Sequence, residues 1–255
     1  MCKVKKIIIY AFAMLSAFDA AWGVVSWDRM QKAAVESTAA VETWGMLLAA
    51  GVMYVSGADV TVSDWASENM PVFGSRENAQ RWSDILAGGA TAAQYASALA
   101  ATPEESSGNA ILTKLRYAAT GFAANEFNYA VTGGLKGIAG RPRPDESGNN
   151  SFPSGHSSQS AVNVTLSLHI LPSLPMTENI KPFIRGLLIS LAVGTSWSRI
   201  EGKKHYPSDV LAGAAIGHWI GSFMSLYFFE NSPFALSAGS MKSGCVLKVR
   251  LFFSY

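Results

Sequence analysis

Apolar positions recur at helical spacing along most of this chain. Between residues 81 and 101, Trp82, Ile85, Gly89, Ala93 and Ala96 form one stripe, which predicts an Ala-rich helix. Between residues 111 and 131, Ile111, Leu115, Ala118, Phe122 and Tyr129 predict another. Residues 44–55 are apolar on most faces and predict a helix that follows a more polar stretch. Residues 157–171 lack Pro and Gly and are stopped by Pro172 and Pro175. Residues 182–198 and 210–229 complete the set. In the last of these, Gly213, Gly217 and Gly221 recur every four residues, which lets a second helix approach closely. The expectation is an all-α fold.

The connections are also legible. Residues 57–76, rich in Asp, Ser, Gly and Pro, predict a long connection. Within it, Ser63-Asp64-Trp65 is either the start of a short helix or a surface turn. Residues 102–109 predict a loop, with Glu104 and Glu105 as a solvated helix start. Thr132-Gly133-Gly134 predicts a loosened backbone just before Lys136. Residues 141–152 are dense in Pro, Gly and Asn, a loop of the kind that carries function on a rigid scaffold.

The two ends differ from the middle. Lys3, Lys5 and Lys6 precede an apolar run from Ile7 to Phe18, and small residues follow at Ala20 and Ala21. Residues 1–21 therefore predict a secretory signal peptide, with an uncleaved anchor as the alternative. Either places the rest of the chain outside the cytoplasm, in the periplasm or cell envelope. Residues 22–232 form the expected domain. The tail, residues 233–255, alternates briefly between apolar and polar, and is an edge strand, a membrane-touching segment or a disordered end.

Composition narrows the class. A chain of 255 residues suits one domain with a sizeable core. Apolar residues make up 49% and charged ones 15%, which is oily for a soluble protein. The formal charge of +2 provides no basic field for nucleic acid, so clustered cations stand out. Removing residues 1–21 would take away Cys2, and Cys245 would then have no internal disulfide partner. A spanning helix needs about 20 predominantly apolar residues. Only residues 210–229 reach that length, and they carry His218; elsewhere Lys114, Arg116 and Glu126 interrupt the runs. An exported helical domain with room for membrane-surface contact is expected ahead of an integral membrane enzyme.

Three clusters hold the chemistry. Lys136 is followed after six residues by Arg143-Pro144. Pro153-Ser154-Gly155-His156 comes next, and then Ser198-Arg199 with His205 and Asp209. Phosphoryl transfer needs charge on three equatorial oxygens neutralised, a nucleophile in line and an acid for the leaving oxygen. Lys136, Arg143 and Arg199 suit the first task, and the Arg fork suits it best. Ser154 and the Gly155 N–H add neutral donors at the mouth of a helix. Pro207 favours a helix start there, which puts His205 at the helix mouth and Asp209 in its first turn. Asp209 would fix the His205 tautomer, and His156 would protonate the leaving alcohol. No convincing metal cluster is present. Arg141 is either a second anion contact or a solvated neighbour. Lys203 and Lys204 either steer an anion or form a solvated pair. His169 and His218 suit structural places on their helices.

The three spaced signatures resemble those of the type 2 phosphatidic acid phosphatase (PAP2) family. Its superfamily includes bacterial acid phosphatases and vanadium-dependent haloperoxidases. The motif core covers residues 136–209. The resemblance implies a single helical bundle with the active site at one end. It implies that Lys136, Arg143, Ser154, Gly155 and Arg199 hold phosphate. His205 would form a phosphohistidine, Asp209 would orient it, and His156 would be the acid. No cofactor is implied, and vanadate is expected to inhibit. The substrate would be a soluble phosphate ester or a lipid phosphate. An integral-membrane lipid phosphate or pyrophosphate phosphatase and a vanadium haloperoxidase are the alternatives. The first hundred residues match no pattern.

Overall fold

The computed structural model describes residues 27–102 and 110–229. The leader at residues 1–21, the Glu104-Glu105 helix start, the tail and both cysteines lie outside the described residues. Among the described residues there is no strand, and the α-helices are α1 (Trp27–Ala39), α2 (Val41–Val55), α3 (Ala58–Asn69), α4 (Arg76–Ala100), α5 (Ala110–Ala139), α6 (Gly155–Ile170), α7 (Lys181–Glu201) and α8 (Pro207–Phe228). A 3-10 turn, Leu171–Ser173, follows α6.

Local chemistry explains the ends. Ser75 caps α4, its Oγ accepting the Asn78 N–H at 3.1 Å. Gly140 follows α5 with φ of 55°, a left-handed stop that glycine adopts without strain. Pro207 opens α8 as expected.

Two expectations change. The connection expected at residues 57–76 contains α3, and Ser63-Asp64-Trp65 lies inside it rather than at its start. The buried face of α3 is Asp59, Ser63, Ala66 and Ser67. These sit at helical spacing but are small or polar, so a hydrophobicity pattern does not reveal them. Likewise Gly133 and Gly134 do not loosen the chain: α5 runs through them to Ala139 and carries Lys136 in its last turn. Glycine in a helix costs only about 0.5–1 kcal/mol relative to Ala, which the long packed helix absorbs.

Helix α6 is the central element. Val162, Leu166 and Ile170 pack with Ile220 and Met224 of α8 and with Tyr117 and Phe127 of α5. The predicted glycine ridge of α8 meets α6 directly. A Cβ at Gly213 would collide with the Ser154 carbonyl, and one at Gly217 with the Ser158 carbonyl. At Gly221 it would lie 2.8 Å from Thr165 Cβ. Polar side chains pair inside the bundle as well: Asn125 donates to Asn163 Oδ1 at 2.9 Å, and Asn163 donates to Thr91 Oγ1 at 3.2 Å.

The outside of the bundle is oily. Leu48, Val52 and Val55 of α2 and Phe183, Leu187 and Val193 of α7 are exposed. Among the described residues, α8 is long and apolar enough to cross a membrane, and α1 with α2 would pass as one span bent by 47°.

The glycine ridge is testable. Gly217→Ala forces a methyl against backbone and should destabilise the fold by about 1–3 kcal/mol. Gly133→Ala, where a Cβ meets nothing within 4 Å, should be neutral or slightly stabilising. Urea denaturation of both variants checks the contrast.

Candidate active site

The close α6–α8 contact puts two helix starts side by side. The Ser154 N–H donates to the Asp209 carbonyl at 2.9 Å. At the same end of the bundle lie the last turn of α5, the last turn of α7 and the early turns of α4. Lys204 and His205 both donate backbone N–H groups to the Arg199 carbonyl, at 3.0 and 3.2 Å. This tight turn folds His205 back over the end of α7.

Lys136, Arg143 and Arg199 converge here, as expected. Lys136 Nζ donates to the Asn150 carbonyl at 2.7 Å, and Arg199 Nη1 to Ser83 Oγ at 3.0 Å. Burial lowers the Lys136 pKa to about 8, and the Arg143 and Arg199 charges add to the effect, while Asp209 opposes it. Burial and Arg143 lower Arg199 to about 10. Among the described residues, the buried Nε atoms of Arg143 and Arg199 face no hydrogen-bond acceptor. Clustered, partly desolvated cations with spare donors fit an oxyanion.

His205 is 2% exposed, and its Nδ1 lies 2.6 Å from the Ser151 carbonyl. A carbonyl can only accept, so Nδ1 carries the proton and the lone pair sits on Nε2. Burial first, and then Arg199, Lys136 and Arg143, hold the His205 pKa well below its ordinary value. The ring is therefore neutral at ordinary pH and available as a nucleophile.

The expected direct hydrogen bond from the His205 ring to Asp209 is not formed. Asp209 Oδ2 stands 4.0 Å from His205 Nδ1, within ion-pair reach only. That oxygen already accepts from Ser151 Oγ at 2.5 Å and from the Tyr206 N–H at 2.9 Å. Ser151 links the two: its hydroxyl donates to Asp209, and its carbonyl accepts from the His205 ring. Nothing in the motif spacing singled out Ser151.

Arg141 also has a definite place, and it is neither of the two expected. Its guanidinium bridges Asp209 Oδ1 at 2.6 Å and Asp59 Oδ2 at 2.7 Å, and donates to Ser208 Oγ at 2.7 Å. The Tyr206 ring lies 4.2 Å and the Tyr54 ring 5.1 Å from it. Burial opposes its charge, but the bonds and charges of Asp59 and Asp209 raise its pKa on balance. Asp59 also accepts the Ser208 N–H at 2.8 Å. Arg141 is thus a clamp behind Asp209.

The remaining candidates are placed as follows. Ser154 is fully buried and caps α6, with its Oγ 3.4 Å from the Ser157 N–H. Gly155 and His156 open α6, where the first N–H groups have no carbonyl one turn back. Lys136 Cε lies against Gly155. His156 is within reach of solvent, with Nε2 at 2.8 Å from Asp84 Oδ1. Lys203 pairs with Asp64 at 3.1 Å and Lys204 with Asp145 at 2.5 Å, so neither is a free steering charge. His218 hydrogen-bonds Thr43 at 2.9 Å, a packing role.

The family model of the PAP2 superfamily matches residues 117–233, which contain all three signatures. Residues 117–233 therefore carry the PAP2 superfamily pattern. A crystal structure of a transmembrane PAP2 type phosphatidylglycerolphosphate phosphatase from Bacillus subtilis shares the fold, with a TM-score of 0.56 and 19% identity over 76% of this chain and 97% of that one. The lipid A 1-phosphatase of Porphyromonas gingivalis is 35% identical over 96 residues, 36% of this chain and 20% of that protein. The chain therefore spans about a fifth of the length of that curated relative.

Two measurements test the site. Lys136 loses its charge as pH rises through about 8, so sulfate, whose own charge is fixed in this range, should bind more weakly above that pH. Lys136→Met should weaken binding and flatten this dependence, as read by calorimetric titration. Arg141→Gln leaves two buried carboxylates unpaired and should cost about 3–5 kcal/mol of stability in urea unfolding.

Proposed function

We propose that this protein is a phosphatase that hydrolyses phosphate monoesters through a phosphohistidine on His205, with lipid phosphates as its main substrates. The observation that carries the reading is a neutral, oriented His205 beside three cations with spare donors. His205 Nε2 attacks phosphorus, the P–O ester bond breaks, and His156 gives its proton to the departing alcohol oxygen. Water, deprotonated by His156, then attacks the phosphohistidine and frees inorganic phosphate. Lys136, Arg143, Arg199 and the α6 N–H groups hold the equatorial oxygens throughout. This chemistry calls for no metal, and orthovanadate would compete for the same cations.

The lipid preference is supported by the exposed apolar residues of α2 and α7, which suit contact with a bilayer in the cell envelope. The names of the two relatives, both phosphatases of lipid phosphates, point the same way.

The test compares phosphate release from an aryl phosphate and a vesicle-dispersed phosphatidic acid. Wild type should release phosphate from both, with higher kcat/KM on the lipid and inhibition by orthovanadate. His205→Ala should fall to background and form no acid-labile phosphoenzyme. Retained turnover in His205→Ala would overturn the nucleophile, and no release by wild type from either compound would overturn the activity.

A further inference from the structure

The signatures supply His156 but not its ring partner, and that partner comes from α4. Asp84 Oδ1 lies 2.8 Å from His156 Nε2. The preceding residue, Ser83, is wholly buried and accepts the 3.0 Å bond from Arg199. Two consecutive residues of α4 therefore hold the acid and one of the cations. Both lie outside residues 117–233, the span matched by the family model.

We propose that Asp84 is a positioning residue that holds the Nε2–H of His156, so that the proton given to the leaving oxygen is the one on Nδ1. The proposal rests on the phosphatase reading above. An imidazolium carries two N–H donors. With one bound to a carboxylate, a single donor remains for transfer while that bond is kept. In the first step Nδ1–H passes to the ester oxygen as the P–O bond breaks. The neutral ring keeps Nε2–H on Asp84. In the second step the Nδ1 lone pair takes a proton from the attacking water, which restores the imidazolium. The proton lost with the alcohol is thus regained from water, and no other reactant is needed.

The charges around His156 give Asp84 a second task. Arg199 faces the ring from α7, Lys136 from α5 and Asp84 from α4. Burial first, and then Arg199 and Lys136, hold the His156 pKa below its ordinary value, and Asp84 opposes them in part. An acid must start protonated, so the carboxylate offsets the cations that phosphate binding requires. Asp84 is 71% exposed at its side chain. Such a pair contributes little to stability; its effect lies in the placement and protonation of the acid.

Leaving-group dependence separates this role from a structural one. An alkyl phosphate needs its leaving oxygen protonated, whereas a nitrophenyl phosphate does not. Asp84→Asn should lower kcat on the alkyl phosphate by about 10–100-fold, within the range of general acid catalysis, and on the nitrophenyl phosphate by less than about 3-fold. The alkaline limb of the kcat/KM profile should move down by about one pH unit. Asp84→Glu should recover part of the alkyl rate. Equal losses on both substrates, or an unmoved limb, would overturn the proposal. NMR titration of the His156 ring in the His205→Ala background gives a readout without turnover. There Asp84→Asn should lower the His156 pKa, and an unchanged value would overturn the proposal even if the wild type hydrolyses neither phosphate, a result that would separately sink the phosphatase reading.

Discussion

The site depends on one contact, the close approach of α8 to α6. Gly213, Gly217 and Gly221 remove the side chains that would hold the two helices apart. The backbones then lie close enough for the Ser154 N–H to reach the Asp209 carbonyl. Because this bond joins the start of α6 to the first turn of α8, it aligns two of the three signatures. His156 follows on one helix and His205 precedes the other. A wider spacing would separate His156 from His205, whatever the identity of the residues around them.

The electrostatics divide the site into two halves of opposite character. On the cationic side, Arg143 and Arg199 lower the proton affinity of Lys136, Arg143 lowers that of Arg199, and all three lower that of His205. That arrangement destabilises the empty protein and is relieved when an anion enters. Behind His205 the opposite holds. Arg141 pairs with both Asp59 and Asp209, and Ser151, Ser208 and Tyr206 donate to further lone pairs of the two carboxylates. A buried charge is tolerated only when paired and hydrogen-bonded. The rigid half thus holds His205 in place while the other half stays poised for ligand.

Much of this was legible in the sequence, for identifiable reasons. The helices at residues 81–101 and 111–131 carried apolar stripes, and the glycine ridge of α8 announced a close contact. Lys136, Arg143, Arg199 and both histidines sat in spaced signatures, and the structure brings them together. Three features were hidden. Helix α3 buries Asp59, Ser63, Ala66 and Ser67, a face with almost no hydrophobic signal. The continuation of α5 through Gly133 and Gly134 runs against local propensity, at a cost of only about 0.5–1 kcal/mol per glycine. The partner of the His205 ring is a backbone carbonyl, that of Ser151, and any residue type carries one.

This last point explains why the signatures stop where they do. A group that touches phosphate must have a fixed charge, reach and geometry, so its identity is narrow and its spacing from its neighbours is constrained. A group that supports such a residue needs only a polar atom at the right place. Ser83 beneath Arg199, Asp84 beside His156 and Asp59 behind Arg141 come from α3 and α4, at positions no spacing rule connects to the signatures. The N-terminal helices resemble no pattern because their contribution is positional. They supply the partners of Arg199, His156 and Arg141, and it is there that proteins sharing the same signatures have room to differ.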